Sequence, residues 1–220
     1  RVEGTAGADS ASIAGLPAAY IVQQMADFKS GARKSALQSR PPENLMTVAA
    51  QVATDEEIQA AAKYFSELKP RQVVRVIESD TAPTTTIVRY FYVRQGEGQE
   101  PLGPRIVEVP DEFDQYELHN PRATFTAYVP KGSLTKGQAL VESKATPTMA
   151  CAVCHGADLR GVGVIPSLAG RSPSYLARQL YAFKIGTRNG ANAALMKPVA
   201  ERFSEDDIVS VVAYLASLAP

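Results

Sequence analysis

The chain has 220 residues, and its 23 lysines and arginines balance 23 aspartates and glutamates, so its formal net charge is zero. That balance leaves no electrostatic footprint for a nucleic acid partner, and no run approaches the roughly 20 apolar residues of a membrane helix. Hydrophobic residues make up 45% and charged residues 21%, the proportions of a globular chain with room for two domains of about 100 residues.

In chain order, AAYIVQQMADFKSG sets Tyr20, Ile21, Met25 and Phe28 at near-helical spacing and stops at Gly31. TDEEIQAAAKYFSELKP opens with Thr54 and Glu57 at capping-box spacing. It continues with an apolar stripe of Ile58, Ala61, Phe65 and Leu68, and ends at Pro70. Residues 71–130 change character. RQVVRVIES, TTTIVRYFYVR, RIVEVP and TFTAYVP are rich in β-branched and aromatic residues between glycine and proline breaks, and predict a β-rich connecting segment. Insertions of this length serve function or an interface, and His119 within it reads as a surface or turn histidine. Helical patterning resumes near Leu134 and is clearest in RSPSYLARQLYAFKIG and SEDDIVSVVAYLASLAP. The expected units are therefore 1–70, 71–130 and 131–220, the last with 10 basic and 6 acidic residues.

The two helical units are copies of one another. Ser12, Ala14, Gly15, Tyr20, Gln24, Phe28, Lys29, Gly31 and Arg33 meet identical residues 155 positions later. At an offset of 150, Leu45, Met46, Ala50, Ile58, Tyr64, Leu68 and Pro70 do the same. Generic helix similarity does not reproduce glycine, methionine, tyrosine and proline in order.

Both cysteines and one of the two histidines lie in MACAVCHGADLRG. Residues at i, i+3 and i+4 of a helix share a face, so Cys151, Cys154 and His155 can all address one flat object. C-x-x-C-H is the attachment signature of c-type haem, two thiols meeting two vinyl groups while the imidazole binds iron. A redox CxxC belongs near a βαβ unit and needs no histidine. A zinc site needs four ligands, and His119, the other histidine, sits in the β-rich segment. Met196 follows His155 by 41 residues in a loop-like stretch, and its counterpart Met46 recurs in the first copy. It is expected to be the axial ligand opposite His155; core filling is the competing role for such a methionine. His/Met ligation suits electron transfer.

CAVCHG, IPSLAGRSPSYLARQLYAFKIGTR and ALMKPVAERFSEDDIVSVVAYLASL together resemble the class I cytochrome c family, above all two-domain dihaem cytochromes of the c4 type. The resemblance covers nearly all of 134–220 and, more weakly, 12–70. It implies a mainly α fold of two cytochrome c-like helical domains joined by a β-containing segment. It implies thioether links at Cys151 and Cys154, axial His155 and Met196, and a Pro166 carbonyl that accepts from the axial imidazole. It places Tyr175 and Arg188 near the haem propionates and makes Leu180 and Phe183 haem-wall residues. A helix-anchoring tyrosine, a solvated arginine and plain core are the competing roles of these four. It also crosses the helix holding Gly137 and Val141 with the last helix near Val211 and Tyr214.

The first copy has no CxxCH. The repeat maps His155 to the position just before Arg1, so either the chain continues upstream through a second motif or this domain has lost its haem. Met46 is an iron ligand only in the first case. The implied protein is not an enzyme. It is an exported, periplasmic electron carrier with haem c in the C-terminal domain, a second haem where the upstream motif exists, and redox proteins as partners. An alternative is the haem subunit of a periplasmic or membrane-bound dehydrogenase, with residues 71–130 as the docking surface, or a dihaem peroxidase-like enzyme.

Overall fold

The computed structural model describes residues 10–36, 41–88, 91–142 and 150–220. Arg1, before which the repeat would set a second haem motif if there is one, lies outside the described residues, as do Met149, Arg89 and Tyr90.

Three helices form the first unit: α1 (Ala18–Ser30), α2 (Pro41–Val52) and α3 (Asp55–Glu67). The capping box opens α3 as its sequence dictates. Thr54 Oγ1 accepts from the Glu57 amide at 3.2 Å, and Glu57 Oε2 accepts from the Thr54 amide at 2.9 Å. The buried line of α3 runs through Ile58 and Ala62, while Ala61 is exposed, one position off the expected stripe. In α1 the buried residues are Gln24, Asp27 and Phe28, so a polar face is the one covered.

The second unit holds α5 (Ser133–Glu142), α6 (Cys151–His155), α7 (Pro173–Lys184), α8 (Ala193–Glu201) and α9 (Glu205–Ser217). Its core joins Val141, Leu176, Phe203, Ile208, Val211 and Leu215, each side chain worth about 1.5–3 kcal/mol of burial. Helix α5 crosses α9 at Gly137, where a Cβ would stand 2.7 Å from Tyr214 Cβ. Only a residue without a side chain admits that approach.

The repeat is visible as geometry. The Gly15 amide donates to Phe65 O and the Gly170 amide to Leu215 O, both at 2.9 Å. Both glycines have positive φ, 71° and 69°, and a Cβ on either would press on Pro70 at 3.0 Å or Pro220 at 2.8 Å. The shared Gly and terminal Pro are one close contact made twice.

Between the units lie β1 (Val74–Glu78), β2 (Thr81–Val88), β3 (Phe91–Pro101), β4 (Val107–Pro110), the short helix α4 (Phe113–Glu117) and β5 (Phe125–Val129). β1, β5 and β4 form one sheet in that order, β1 parallel and β4 antiparallel to β5, while β2 and β3 pair as an antiparallel hairpin. His119 is exposed, with φ 56°, in the turn after α4. Two carboxylates bind this segment to the second unit at helix starts, where unpaired amides and the helix dipole favour an anion. Glu78 Oε1 accepts from the Leu134 amide of α5 at 2.8 Å. Glu108 Oε2 accepts from Ser172 Oγ at 2.8 Å and the Ser174 amide at 3.1 Å, at the start of α7. Ile106 adds an apolar contact to the helical core.

Candidate haem-binding site

Helix α6 consists of CAVCH and little else, five residues between Ala150 and Gly156. Cys151 is half-buried against the helical core and Cys154 is exposed. Burial pushes the Cys151 thiol up to about 11, the reverse of the depressed value that a redox CxxC needs. Among the described residues, no three His, Cys, Asp or Glu side chains converge as metal ligands, so the trio does not close on one point as a tetrahedral zinc site would.

His155 is buried, with Nδ1 2.7 Å from the Pro166 carbonyl. A carbonyl can only accept, so the proton sits on Nδ1 and the lone pair is left on Nε2, the arrangement of a metal-ligating imidazole. Burial lowers the His155 pKa against the opposing pull of that hydrogen bond, which keeps the ring neutral. The loop aims the carbonyl. Val162 and Ile165 exchange backbone hydrogen bonds at 3.2 and 3.0 Å, and Gly161, with φ 90°, leaves room where a Cβ would stand 3.0 Å from the Pro166 carbonyl carbon.

Met196 lies inside α8, its fourth residue, so the loop expected around it is helical. It is half-buried and packs with Leu180 against Phe183, Ala193 and Ala200. Leu180 and Tyr175 also touch the main core, to which Cys151 and Ala152 belong. Apolar contact therefore runs continuously from the cysteine helix across α7 to Met196.

Tyr175 and Arg188 are brought together with residues that sequence reasoning did not single out as a site. Arg188 donates to Tyr20 Oη and Gln24 Oε1 of the first unit, both at 2.8 Å, and to Gln179 at 2.9 Å in its own. Arg33 mirrors it, donating to Tyr175 Oη at 3.3 Å, Gln179 Oε1 at 3.0 Å and Gln24 at 2.8 Å. Each guanidinium lies over its own phenylalanine, Arg33 over Phe28 at 4.6 Å and Arg188 over Phe183 at 4.4 Å. Two backbone rungs repeat the symmetry: the Lys34 amide donates to Thr187 O at 2.8 Å and the Asn189 amide to Ala32 O at 2.7 Å. This is the isologous pattern of a twofold interface, made within one chain. Its signal was in the repeat, where Tyr20, Gln24 and Phe28 recur at intervals of four, a single helix face.

Arg171 joins the junction, donating to Ser167 of its own unit and to the Ser12 carbonyl of the other. Burial pushes the Tyr175 phenol up, but Arg33 and Arg188 outweigh it and hold the phenol below its usual range. Arg171 and Arg188 are buried, and among the described residues they donate to neutral acceptors. Buried cations of this kind fit a cofactor that brings carboxylates. With two thiols, an imidazole presenting Nε2 and an apolar wall ending in a thioether, the residues present fit haem c. In the first unit Met46 is exposed on α2 beside exposed Leu45 and Val48.

Comparison with known proteins agrees. A family model described as cytochrome c matches residues 134–219. Cytochrome c-554(548) of Halomonas halodenitrificans is 44% identical over 68 residues, 30% of this chain and 82% of that protein. The thiosulfate dehydrogenase electron acceptor of Stutzerimonas stutzeri is 28% identical over 216 residues, 98% of this chain and 74% of that protein. Among solved structures, thiosulfate dehydrogenase TsdBA of Marichromatium purpuratum superposes with a TM-score of 0.65 at 25% identity, covering 98% of this chain but 34% of that one. Cytochrome c4 of Acidithiobacillus ferrooxidans shares the fold with a TM-score of 0.62 at 23% identity, covering 97% and 92%. The chain belongs to the cytochrome c family, and it is an electron carrier that works through covalently bound haem c.

Proposed function

We propose that Cys151 and Cys154 carry the thioether links, that His155 Nε2 and Met196 Sδ are the axial ligands, and that the chain accepts electrons from a dehydrogenase in the periplasm. The observation that supports this best is the His155 Nδ1–H to Pro166 hydrogen bond at 2.7 Å, which commits the buried ring to presenting Nε2. When bound, haem supplies a one-electron iron couple. The chain's own residues do the rest. The Pro166 carbonyl fixes the imidazole plane and raises its basicity. Leu180 and Phe183 exclude water, which favours the less charged reduced state. Arg188, Tyr175 and Gln179 offer donors to haem carboxylates. No general base or nucleophile is required.

The dehydrogenase role rests on similarity along almost the whole chain to a thiosulfate dehydrogenase electron acceptor. Among the described residues, no helix is long and apolar enough to cross a membrane. The units we assign are an N-terminal domain over 1–70, a β-rich connecting segment over 71–130 and a C-terminal haem domain over 131–220. A second haem on the first domain, with Met46 as its ligand, is part of the proposal. The exposed side chains of Leu45, Val48 and Val52, 65%, 55% and 76% accessible, give it an apolar seat.

Intact mass of the full gene product, with the visible spectrum of its reduced form, tests the reading. Covalent haem and a sharp α-band are expected; their absence refutes it. Two haems per polypeptide support the second site and one removes it. Rapid reduction by a purified thiosulfate dehydrogenase supports the donor class, and failure with such enzymes rejects it.

A further inference from the structure

The β-rich segment holds a buried carboxyl that this chemistry does not use. Glu108 is 1% exposed. Its neighbours Val107 and Val109 point to the opposite face of the sheet, into a cluster with Ala82 and Leu102, while Glu108 faces α7. Oε2 is occupied by the Ser172 hydroxyl and the Ser174 amide. Oε1 is buried and has no hydrogen-bond partner among the described residues. The charged group that bears on it from α7 is Arg178; β5 places Ala127 beside it, and Ala82 of β2 with Leu102, the residue after β3, are apolar and lie on the other face. Desolvation by burial outweighs the Ser172 and Ser174 donors and Arg178, and lifts this carboxyl above the usual range.

We propose that Glu108 is the proton partner of the C-terminal haem, binding a proton from water when that haem takes an electron and releasing it on oxidation. The inference rests on the haem reading above. The electron arrives from the redox donor and converts ferric to ferrous iron, adding one negative charge to the interior. One proton passes from solvent to Oε1, the oxygen with a free lone pair, and carboxylate becomes carboxylic acid. Both hydrogen bonds to Oε2 survive the change. Ser174 and Leu180 stand on the same helix about 9 Å apart along its axis. Two unit charges about 12 Å apart at an effective dielectric of about 20 shift one another's proton affinity about tenfold.

The test is a spectroelectrochemical titration of the holoprotein across pH. The wild-type potential is expected to fall as pH rises through one window and to level off on both sides. Glu108→Gln should hold one potential, near the wild-type low-pH level, because glutamine reproduces the neutral acid. Glu108→Asp should keep the fall in a displaced window. Reduced-minus-oxidised infrared spectra should show a protonated carboxyl band that Glu108→Gln lacks. A pH-independent wild-type potential, a Glu108→Gln potential that falls as the wild type does, or a Glu108→Asp window that does not move overturns the proposal. If Glu108→Gln fails to take up haem, the aspartate titration and the wild-type infrared spectrum decide, and no carboxyl band on reduction overturns it. Haem content measured by mass on the same samples separates this outcome from failure of the haem reading.

Discussion

At the scale of the residue, Gly137 shows how little an atom need weigh to govern a fold. A methyl group there would stand 2.7 Å from Tyr214 Cβ, so Gly137→Ala must push α5 off α9. Overpacking of this kind costs about 1–3 kcal/mol, and a lowered thermal midpoint of the holoprotein is the expected reading. Met196 poses the opposite question, one of vacancy. Met196→Ala should open a coordination position, so the reduced variant binds carbon monoxide readily where the wild type resists; equal uptake by both rules Met196 out as ligand. Cys151, Cys154 and His155 stood out as candidates because their spacing puts them on one helix face, and Pro166 only through the family resemblance. Arg33 and Arg171 did not, since a linear sequence does not reveal that a surface-type residue faces its own repeat. Met196 was placed in a loop because the glycine and asparagines of GTRNGANAAL break the helical pattern, whereas Asn192 in fact flanks the start of α8.

Among the elements, α7 concentrates the most consequences. Its N-terminus is closed twice, by Ser172 Oγ accepting from the Tyr175 amide at 3.2 Å and by Glu108 from the β-rich segment. The folded Glu108 carboxyl is raised above its ordinary 4.5, chiefly by burial. The stability it contributes is therefore complete below that value and lost as pH rises through the folded one. Glu108→Gln cannot ionise, so its thermal midpoint relative to wild type should climb as pH is raised above 4.5; a gap that stays constant would refute the linkage. The opening of α9 is simpler. Ser204→Ala removes the cap that accepts from the Asp207 amide at 3.1 Å and should cost about 1 kcal/mol, with no pH trend of this kind. Helices α1, α3, α7 and α9, the Thr54–Glu57 cap and the β character of the middle segment were readable from local pattern, whereas α2, α4 and α8 were not. The buried polar face of α1 was not, because apolar periodicity assumes a hydrophobic neighbour, and Gln24 and Asp27 instead meet a polar one.

For the whole molecule, the junction of the two units is the decisive surface. Its arginines, tyrosines and glutamines form one network, so their energies should not add. In a double-mutant cycle on the holoprotein, Arg188→Gln and Tyr20→Phe should couple by about 0.5–3 kcal/mol, whereas Arg188→Gln and Ser204→Ala should be additive. Additivity at the first pair would mean that the 2.8 Å contact carries no energy. The pseudo-twofold arrangement also has a consequence for inheritance. In a dimer of identical chains every substitution at such a surface lands on both sides at once, and a charge must tolerate its own image. Joining the halves in one chain lifts that rule. Asp27 faces Gly190 across the junction while its repeat counterpart is Ala182, and Arg171 bridges to Ser12 where its counterpart is Leu16. Each half can change alone, and this surface, though built from a repeat, has two distinguishable sides.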